Sequence, residues 1–458
     1  MRSYRFLPSA NIKPAIISIV LVTNAFVWYA FVIELLTAIV QTAHINQSTV
    51  LLIWALHFGG IAVSALVGAF LAKRIKDRSR FILYWMFLGV ILSAISIVIN
   101  LTLIPNILAL SLLFGVSLGF GMPSCMGYFA DSIAVEKRGR VGGIIFLLTG
   151  LTIVTLEIVA GAGIGYKVVI LAGWRLFGLL MFLLFLKYWP MNEVLSKNKP
   201  VPYKPLLNYK PFLLYLVPWL MFSLLTNLTT PMLTNMTQSM QNSGVNIPSI
   251  EYLRSIENLL GAVFGVIGGF LIDFVGRKRM SIIGFAMLGL GYSFLGILSE
   301  NPLTWYFYTF VDGAAWGIFF VIFVITIWAD LSNGSSSEKY YAVGVLPFFF
   351  SYFLRFTVGF DLSVAIPKEA IFSFVAFFLF LAVLPLVYAP ETLPEKVMKD
   401  RDLKSYAEKA LQKAQKKEKK DHKKEDNKAK EDAGGNEGEA EEKGEEYEEA
   451  RKLAEKYY

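Results

Sequence analysis

Long apolar runs, each able to cross a bilayer, recur along the chain at about 15–40, 50–72, 81–104, 107–130, 141–162, 172–189, 211–233, 252–272, 280–299, 303–328, 342–364 and 370–389. Short polar segments separate them. A backbone inside lipid must satisfy its own hydrogen bonds, so each run predicts a helix, and together they predict an all-α membrane protein of twelve transmembrane helices. The first run is too long to be a removable signal peptide and lacks a small-residue cleavage site. The pattern stops abruptly before residues 399–458, which carry a Lys-rich stretch from Lys409 to Lys430 and then an acidic one from Glu431 to Glu449. Such a segment cannot bury a core. It predicts a charged cytoplasmic tail, disordered or partly helical, that either has no dedicated task or docks a partner or anionic lipid.

Composition agrees with this pattern. Hydrophobic residues make up 55% of the 458 and charged ones only 17%, whereas soluble domains carry about 25% charged residues. Cys125 is the only cysteine, so a disulfide scaffold is excluded. The three histidines, His44, His57 and His422, fall in a loop, a span and the tail rather than at metal-ligand spacing. The net charge of +8 does not point to nucleic acid, because the segment after Met398 holds 17 Lys and Arg against 18 Asp and Glu. The positive excess therefore belongs to the loops between spans. There it alternates: one set of connections holds Lys73, Arg74, Lys76, Arg78 and Arg80, then Lys137, Arg138 and Arg140, then Lys197, Lys199, Lys204 and Lys210, then Arg277, Lys278 and Arg279. The other set holds none, apart from Lys167 and Lys368. The positive-inside rule then places the basic loops and both termini in the cytoplasm, which predicts a multi-pass protein of the cell membrane.

An offset of 200 residues lays the second half of the chain on the first. Gly68-Ala69-Phe70-Leu71 falls on Gly268-Gly269-Phe270-Leu271, each followed by a basic loop, and Tyr188 and Pro190 fall on Tyr388 and Pro390. Ala130-Asp131 lies one residue out of register with Ala329-Asp330. Two parallel repeats of six spans are implied, an arrangement that places a site between the halves near mid-bilayer. The organisation expected is an N-terminal bundle at 1–195, a cytoplasmic linker at 196–210, a C-terminal bundle at 211–396 and the tail at 397–458.

The stretch Gly269-Phe270-Leu271-Ile272-Asp273-Phe274-Val275-Gly276-Arg277-Lys278 resembles the loop motif between spans eight and nine of the major facilitator superfamily. Asp131 with Arg138-Gly139, Gly173-Trp174-Arg175, and Pro390-Glu391-Thr392 resemble further motifs of that family, the last being similar to sugar-porter members. The resemblance covers roughly 10–396 and implies two pseudo-symmetric six-helix bundles that rock about a central cavity, with spans three, six, nine and twelve facing lipid. Some positions depart from the pattern. The first-half copy has Ala72 or Lys73 at the acidic position and Ile75 at the glycine, with Asp77 arriving late; the loop after span ten, Glu338-Lys339-Tyr340-Tyr341, lacks an Arg-Gly pair; and span five has no Gly-Pro pair of the antiporter kind. The resemblance implies a cytoplasmic gate built from Asp131, Arg138, Gly269, Asp273, Gly276, Arg277, Lys278, Asp330 and Glu338.

A charge at the centre of a span costs about 2.5–3.5 kcal/mol on insertion scales, so each one retained there needs a partner, water or a task. Glu34 lies in span one, His57 in two, Glu157 in five, Glu257 in eight, Asp312 in ten and Arg355 in eleven, while span six carries Arg175 near its outer start. At 1.5 Å of rise per residue, His57, Glu257 and Asp312 fall roughly 9–14 Å below the outer surface, and Glu157 and Arg355 about 20 Å above the inner one. Arg355 reads as the one strong cation at that depth, to be paired with Asp312, Glu257 or Glu157. Asn24, Thr226 and Asn227 add polar groups on central spans. The candidate residues for solute binding or proton coupling are Asn24, His57, Glu157, Asn227, Glu257, Asp312 and Arg355. Each also has a plain structural reading as an interhelical hydrogen bond, an ion pair or an interface contact. Glycines in spans four and ten, Gly115, Gly119, Gly121, Gly313 and Gly317, predict close helix packing.

No phosphate-binding loop, nucleophile elbow or zinc-protease motif is present. The expectation is a non-enzymatic secondary transporter, without cofactor or metal, that carries a small polar solute by alternating access as a proton symporter or uniporter. The alternatives are a transporter-like sensor that signals through its tail and a proton-coupled exporter.

Overall fold

A computed structural model describes residues 12–43, 45–72, 77–161, 163–189, 203–332, 336–358 and 368–393. His44, His422, Lys73, Arg74, Lys76, Lys197, Lys199, Pro190 and the tail lie outside the described residues. The chain divides into two compact units, Met1–Thr392 and Leu393–Tyr458. All spans belong to the first, and among the described residues every regular element is a helix.

Spans one to six are Ile12–Thr42, Gln47–Ala72, Arg78–Val98, Ile104–Ser132, Arg138–Ala160 and Ile164–Tyr188. A short helix, Tyr203–Leu207, precedes span seven, Lys210–Asn242, which is followed by spans eight and nine, Ile250–Phe274 and Arg277–Ile297. Span ten, Pro302–Ser332, contains a π-helical stretch at Phe320–Thr326. Span eleven is broken at Val345 into Ser337–Gly344 and Leu346–Thr357. Pro347, at the start of the second piece, lacks the N–H that would continue the helix through the break. Span twelve comprises Lys368–Leu381 and Val383–Tyr388. Eleven of these helices are long and apolar enough to cross a membrane, and span eleven completes the twelve from its two pieces.

Local chemistry sets several starts. The Asp77 carboxylate accepts from the Arg80 N–H at 3.1 Å, Ser249 Oγ from the Tyr252 N–H at 3.3 Å, and Asn301 from the Leu303 N–H at 2.9 Å. Each satisfies a donor that the first helical turn leaves open. Gly276, at φ 110, turns the chain between spans eight and nine in a region other residues avoid.

Within each half the tightest packing is made by equivalent pairs, span two on four and span eight on ten. A Cβ at Gly115 would overlap the His57 carbonyl, and one at Gly317 would overlap the Gly261 carbonyl, so backbones touch at both places. Exposed apolar stripes such as Tyr84, Phe87 and Ile91 on span three, Phe177, Leu180 and Leu184 on six, and Phe374, Phe377 and Phe380 on twelve mark the lipid-facing surface. The halves meet along two seams, span five against eight and span two against eleven.

Candidate functional site

At the basic end of the spans, four arginines and five carboxylates gather in two linked groups. Asp330, in the last turn of span ten, is fully buried; its Oδ1 accepts from Arg138 Nη1 at 2.7 Å and its Oδ2 from Arg277 Nε at 2.9 Å. Arg277 opens span nine and is itself fully buried. Its remaining donors reach the Ile272 carbonyl at 2.8 Å, the Val135 carbonyl at 2.6 Å and Asp273 Oδ1 at 3.1 Å. Asp273, near the end of span eight, crosses the seam to accept the backbone N–H of Gly139 at 2.9 Å and of Arg140 at 3.0 Å. Those are open donors at the start of span five, where the helix dipole favours an anion. Gly139 and Gly269 stand back to back at this point, since a Cβ on either would run into the other's carbonyl.

A parallel link lies on the other flank. Arg78, the first residue of span three, bridges Asp131 at 2.7 Å and Glu338 at 2.5 Å, and Ser336 Oγ donates to the second Glu338 oxygen at 2.8 Å. Glu391 caps span nine by accepting from the N–H groups of Arg277 at 2.9 Å and Lys278 at 3.2 Å, while Lys278 Nζ donates to the Val387 carbonyl at 2.7 Å. A side chain at Gly276 would displace the Glu391 carboxylate. The link between Pro390-Glu391-Thr392 and span nine is thus a helix cap.

All nine residues expected at a gate therefore lie at this one end, and the structure adds Arg78, Arg140 and Glu391. Among the described residues the links that cross between halves include Arg138 to Asp330, Arg78 to Glu338, Asp273 to the start of span five, and Arg277 to the Val135 carbonyl. The repeat could have found Arg78, which precedes Arg277 by 199 positions and grips Asp131 as Arg277 grips Asp330. Asp77 does not replace the missing first-half acid; it caps span three and pairs with Arg80 at 2.7 Å.

The other candidates fall into separate clusters. Asp312 is buried in span ten, and its Oδ2 accepts from Tyr308 Oη at 3.2 Å. Tyr308 continues to Tyr292 Oη at 3.2 Å and Tyr292 to Thr229 Oγ1 at 3.1 Å. Glu257 is half-buried on span eight, whose backbone approaches span ten so closely that a Cβ at Gly313 would meet the Glu257 carbonyl. Arg254 lies one turn before Glu257 and donates to Thr234 Oγ1 of span seven at 2.8 Å. Arg355 stands 5.7 Å from the Tyr352 ring and 5.8 Å from the Phe356 ring.

This arrangement corrects the expectation that Arg355 is the one cation at depth. Arg355 stands in the last turn of its helix and Arg254 in the first turns of span eight, so both lie near span ends, and among the described residues no carboxylate makes an ion-pair contact with either. Glu157 is not a buried mid-span charge; it lies three residues from the end of span five, exposed, near Glu34 and Lys167. Lys167 is not in a loop but in the first turns of span six, where its ammonium pairs with Glu34. Arg175 lies mid-span, fully buried, 4.9 Å from the Trp28 ring and 4.4 Å from the Trp85 ring.

Asn24 accepts from Arg175 Nη1 at 3.0 Å and donates to the Trp174 carbonyl at 2.8 Å, so its amide joins spans one and six. Asn227 donates to the Ser223 carbonyl at 3.1 Å and to Ser351 Oγ at 2.9 Å, joining spans seven and eleven. Replacing Asn24 with alanine removes the one acceptor that, among the described residues, is hydrogen-bonded to the Arg175 guanidinium, and is expected to cost about 2 kcal/mol of stability. Thermal unfolding in detergent checks this, and an unchanged midpoint refutes it.

His57 is buried with Nδ1 3.0 Å from the Ser111 carbonyl. A carbonyl only accepts, so the proton sits on Nδ1. Its ring stacks on Tyr29 at 5.9 Å, and Tyr29 meets Phe349 of span eleven edge-on at 5.6 Å. At the end away from the arginines, Trp54 stacks on Phe356 at 4.2 Å and Phe58 packs near Phe353. An aromatic clasp thus joins spans two and eleven, opposite the ionic one. Among the described residues, no group of three or more His, Cys, Asp or Glu side chains is placed to hold a metal ion.

Residues 17–249, just over half of the chain, match the Major Facilitator Superfamily. The fold is similar to the crystal structure of a bacterial homologue of the iron transporter ferroportin in an outward-facing state, with a TM-score of 0.62 at 14% identity, covering 83% of this chain and 98% of that one. No curated protein matches the sequence.

Proposed function

The chain belongs to the Major Facilitator Superfamily, and from that premise we propose that it is a proton-coupled symporter of a small polar solute, working in the cell membrane with its arginine-rich end in the cytoplasm. Secondary transport without enzymatic chemistry follows from the family. The coupling reading rests on one observation: Asp312 is buried inside the C-terminal half, with Tyr308, Tyr292 and Thr229 chained behind it. A buried carboxyl group joined to a chain of hydroxyls is the kind of group that takes up and releases a proton. A proton held there from the outside and released when the cavity opens inward couples its movement to that of the solute. The ionic links Arg138–Asp330, Arg78–Glu338 and Asp273 to span five then hold the inner side closed, and they break as the halves rock.

The neighbour's name raises iron as a solute. The missing three-ligand group among the described residues and the two arginines beside the acids argue against a metal cation here. The aromatic clasp between spans two and eleven supports a gating role for the outer side.

The test is a vesicle experiment. In proteoliposomes loaded with a pH-sensitive dye, a panel of sugars, amino acids, nucleosides and organic acids is expected to include a solute that drives proton entry. Asp312→Asn is expected to lower uptake at least tenfold and to abolish its dependence on external pH. If uptake by Asp312→Asn and Glu257→Gln keeps the wild-type pH profile, the protein is a uniporter and the coupling role is lost.

A further inference from the structure

Tyr308 has one hydroxyl hydrogen and two oxygens within its reach, Asp312 Oδ2 and Tyr292 Oη, both at 3.2 Å. Tyr292 in turn meets Thr229 Oγ1 at 3.1 Å, so spans ten, nine and seven are joined by a row of three hydroxyls that ends on a carboxyl group. All four side chains are buried. The far end of the row is fixed by its own helix. Thr229 Oγ1 lies 2.8 Å from the Leu225 carbonyl and 3.1 Å from that of Thr226, and a carbonyl only accepts, so the threonine hydrogen is engaged there.

Thr229 therefore presents a lone pair to Tyr292. Each hydroxyl has one hydrogen to give, so the direction passes along the row: Tyr292 donates to Thr229, Tyr308 donates to Tyr292, and Tyr308 keeps a lone pair toward Asp312. That lone pair suits the hydrogen of a carboxylic acid and opposes a carboxylate. Reversed, with Tyr308 donating to Asp312 and Tyr292 to Tyr308, the row suits a carboxylate, but lone pairs then meet at Thr229 unless its hydrogen leaves the carbonyls. An unmet contact in a buried row is destabilising. The row has two settings, and the threonine end selects between them. Spans eight and nine pack against this part of span ten. Span eight carries Glu251, Arg254 and Glu257; span nine brings Tyr292, with Arg277, Lys278 and Arg279 at its opposite end. A hinge lies beside the threonine, because Pro231 has no N–H to give the Asn227 carbonyl and span seven bends most easily there.

Resting on the coupling role given to Asp312 above, we infer that Thr229, Tyr292 and Tyr308 are positioning residues that set whether Asp312 holds its proton. With Thr229 in place the row keeps the acid; a bend of span seven at Pro231 that withdraws Thr229 lets the row reverse. The proton then leaves Asp312 for water in the opened cavity, while each hydroxyl keeps its own hydrogen and only rotates. The carboxylate left behind accepts from Tyr308. Release is thereby tied to a movement of one helix rather than to pH alone.

Infrared difference spectra of the purified full-length protein read the acid directly, since its carbonyl band fades as Asp312 ionises and is absent from Asp312→Asn. Thr229→Val removes the terminal lone pair at little change of shape, and Tyr292→Phe cuts the row next to Tyr308. Both are expected to move the midpoint of the band toward acid by about one pH unit or more, the shift that one hydrogen bond to a charged group produces. Thr229→Ser is expected to keep the wild-type midpoint. In a Tyr308→Phe background both shifts should disappear, because the row reaches Asp312 only through Tyr308. Gel filtration shows which variants fold; should Tyr292→Phe not fold, Thr229→Val set against Thr229→Ser decides the matter. Unchanged midpoints, shifts toward alkali, shifts that persist without the Tyr308 hydroxyl, or no titrating band from Asp312 each overturn the inference. The expected shifts without solute-driven proton entry in vesicles uphold the row and overturn the symport reading. Proton entry that is lost in Asp312→Asn, with midpoints indifferent to Thr229 and Tyr292, does the reverse.

Discussion

Asp330→Ala is expected to lower the stability of the folded protein by about 3–5 kcal/mol and to abolish uptake. The carboxylate is fully buried and serves two arginines at once, Arg138 at 2.7 Å from the N-terminal half and Arg277 at 2.9 Å from its own. Arg277 has no exposed surface, so it cannot turn to water when its partner goes. Asp273 still holds one of its nitrogens at 3.1 Å, which places the loss toward the lower part of that range. Thr392 Oγ1, 3.1 Å from Asp330 Oδ2, loses its acceptor as well. The two arginine contacts should separate in a double-mutant cycle. The contact with Arg277 lies within one half and should appear in stability alone, whereas that with Arg138 crosses between halves and should appear in transport too. Coupling of about 0.5–3 kcal/mol is expected for each contact. Thermal unfolding of the four variants of each cycle in detergent provides the measurement; a coupling of zero with Arg138 would remove Asp330 from any latch between the halves.

Much of this ionic network is legible in the sequence. Asp131, Arg138, Asp273, Arg277, Asp330 and Glu338 lie where apolar runs end, and charged side chains at helix ends stand out against the runs they bound. The helices themselves were legible for the same reason, since twenty apolar residues in succession have one stable form in lipid. Span six was misjudged because Lys167 and Arg175 interrupt its run. A reading by hydropathy moves the start of the helix past such charges, yet the helix begins at Ile164. Glu34 compensates Lys167, and Asn24 with the rings of Trp28 and Trp85 compensates Arg175. Glu34 is 133 residues from Lys167 and Asn24 is 151 from Arg175, beyond the reach of any local window. Arg254 was overlooked for a related reason. It sits close to the start of span eight, where a cation reads as an interface residue, and only the turn toward Thr234 places it beside Glu257. The break at Val345 has a local cause that sequence did show, a proline two residues on, but a run of apolar residues conceals it.

Gly269→Val is expected to stop uptake while leaving the protein folded, because the residue sits where the halves come closest. A Cβ at this position runs into the Gly139 carbonyl and comes within 3.3 Å of Gly143 Cα, and backbone atoms of a helix cannot step aside as a flexible side chain can. The contact belongs to the seam between spans five and eight, so most of the strain falls on the state in which that seam is closed, and each half keeps its own packing. Overpacking of this kind costs about 1–3 kcal/mol, which moves an equilibrium between closed and open arrangements about 5–150-fold toward the open one. Asp273 then loses its hold on the Gly139 and Arg140 N–H groups, so the ionic latch and the steric block reinforce one another. Ile272 is fully buried in the same seam, and a cysteine there, in a chain whose buried Cys125 is replaced by serine, reports the opening directly. Labelling of Ile272→Cys by a membrane-impermeant maleimide applied from the arginine-rich side should be slow in the parent and at least fivefold faster with Gly269→Val. Slow labelling in both, together with normal uptake, would mean that spans five and eight part without needing backbone contact at Gly139 and Gly269.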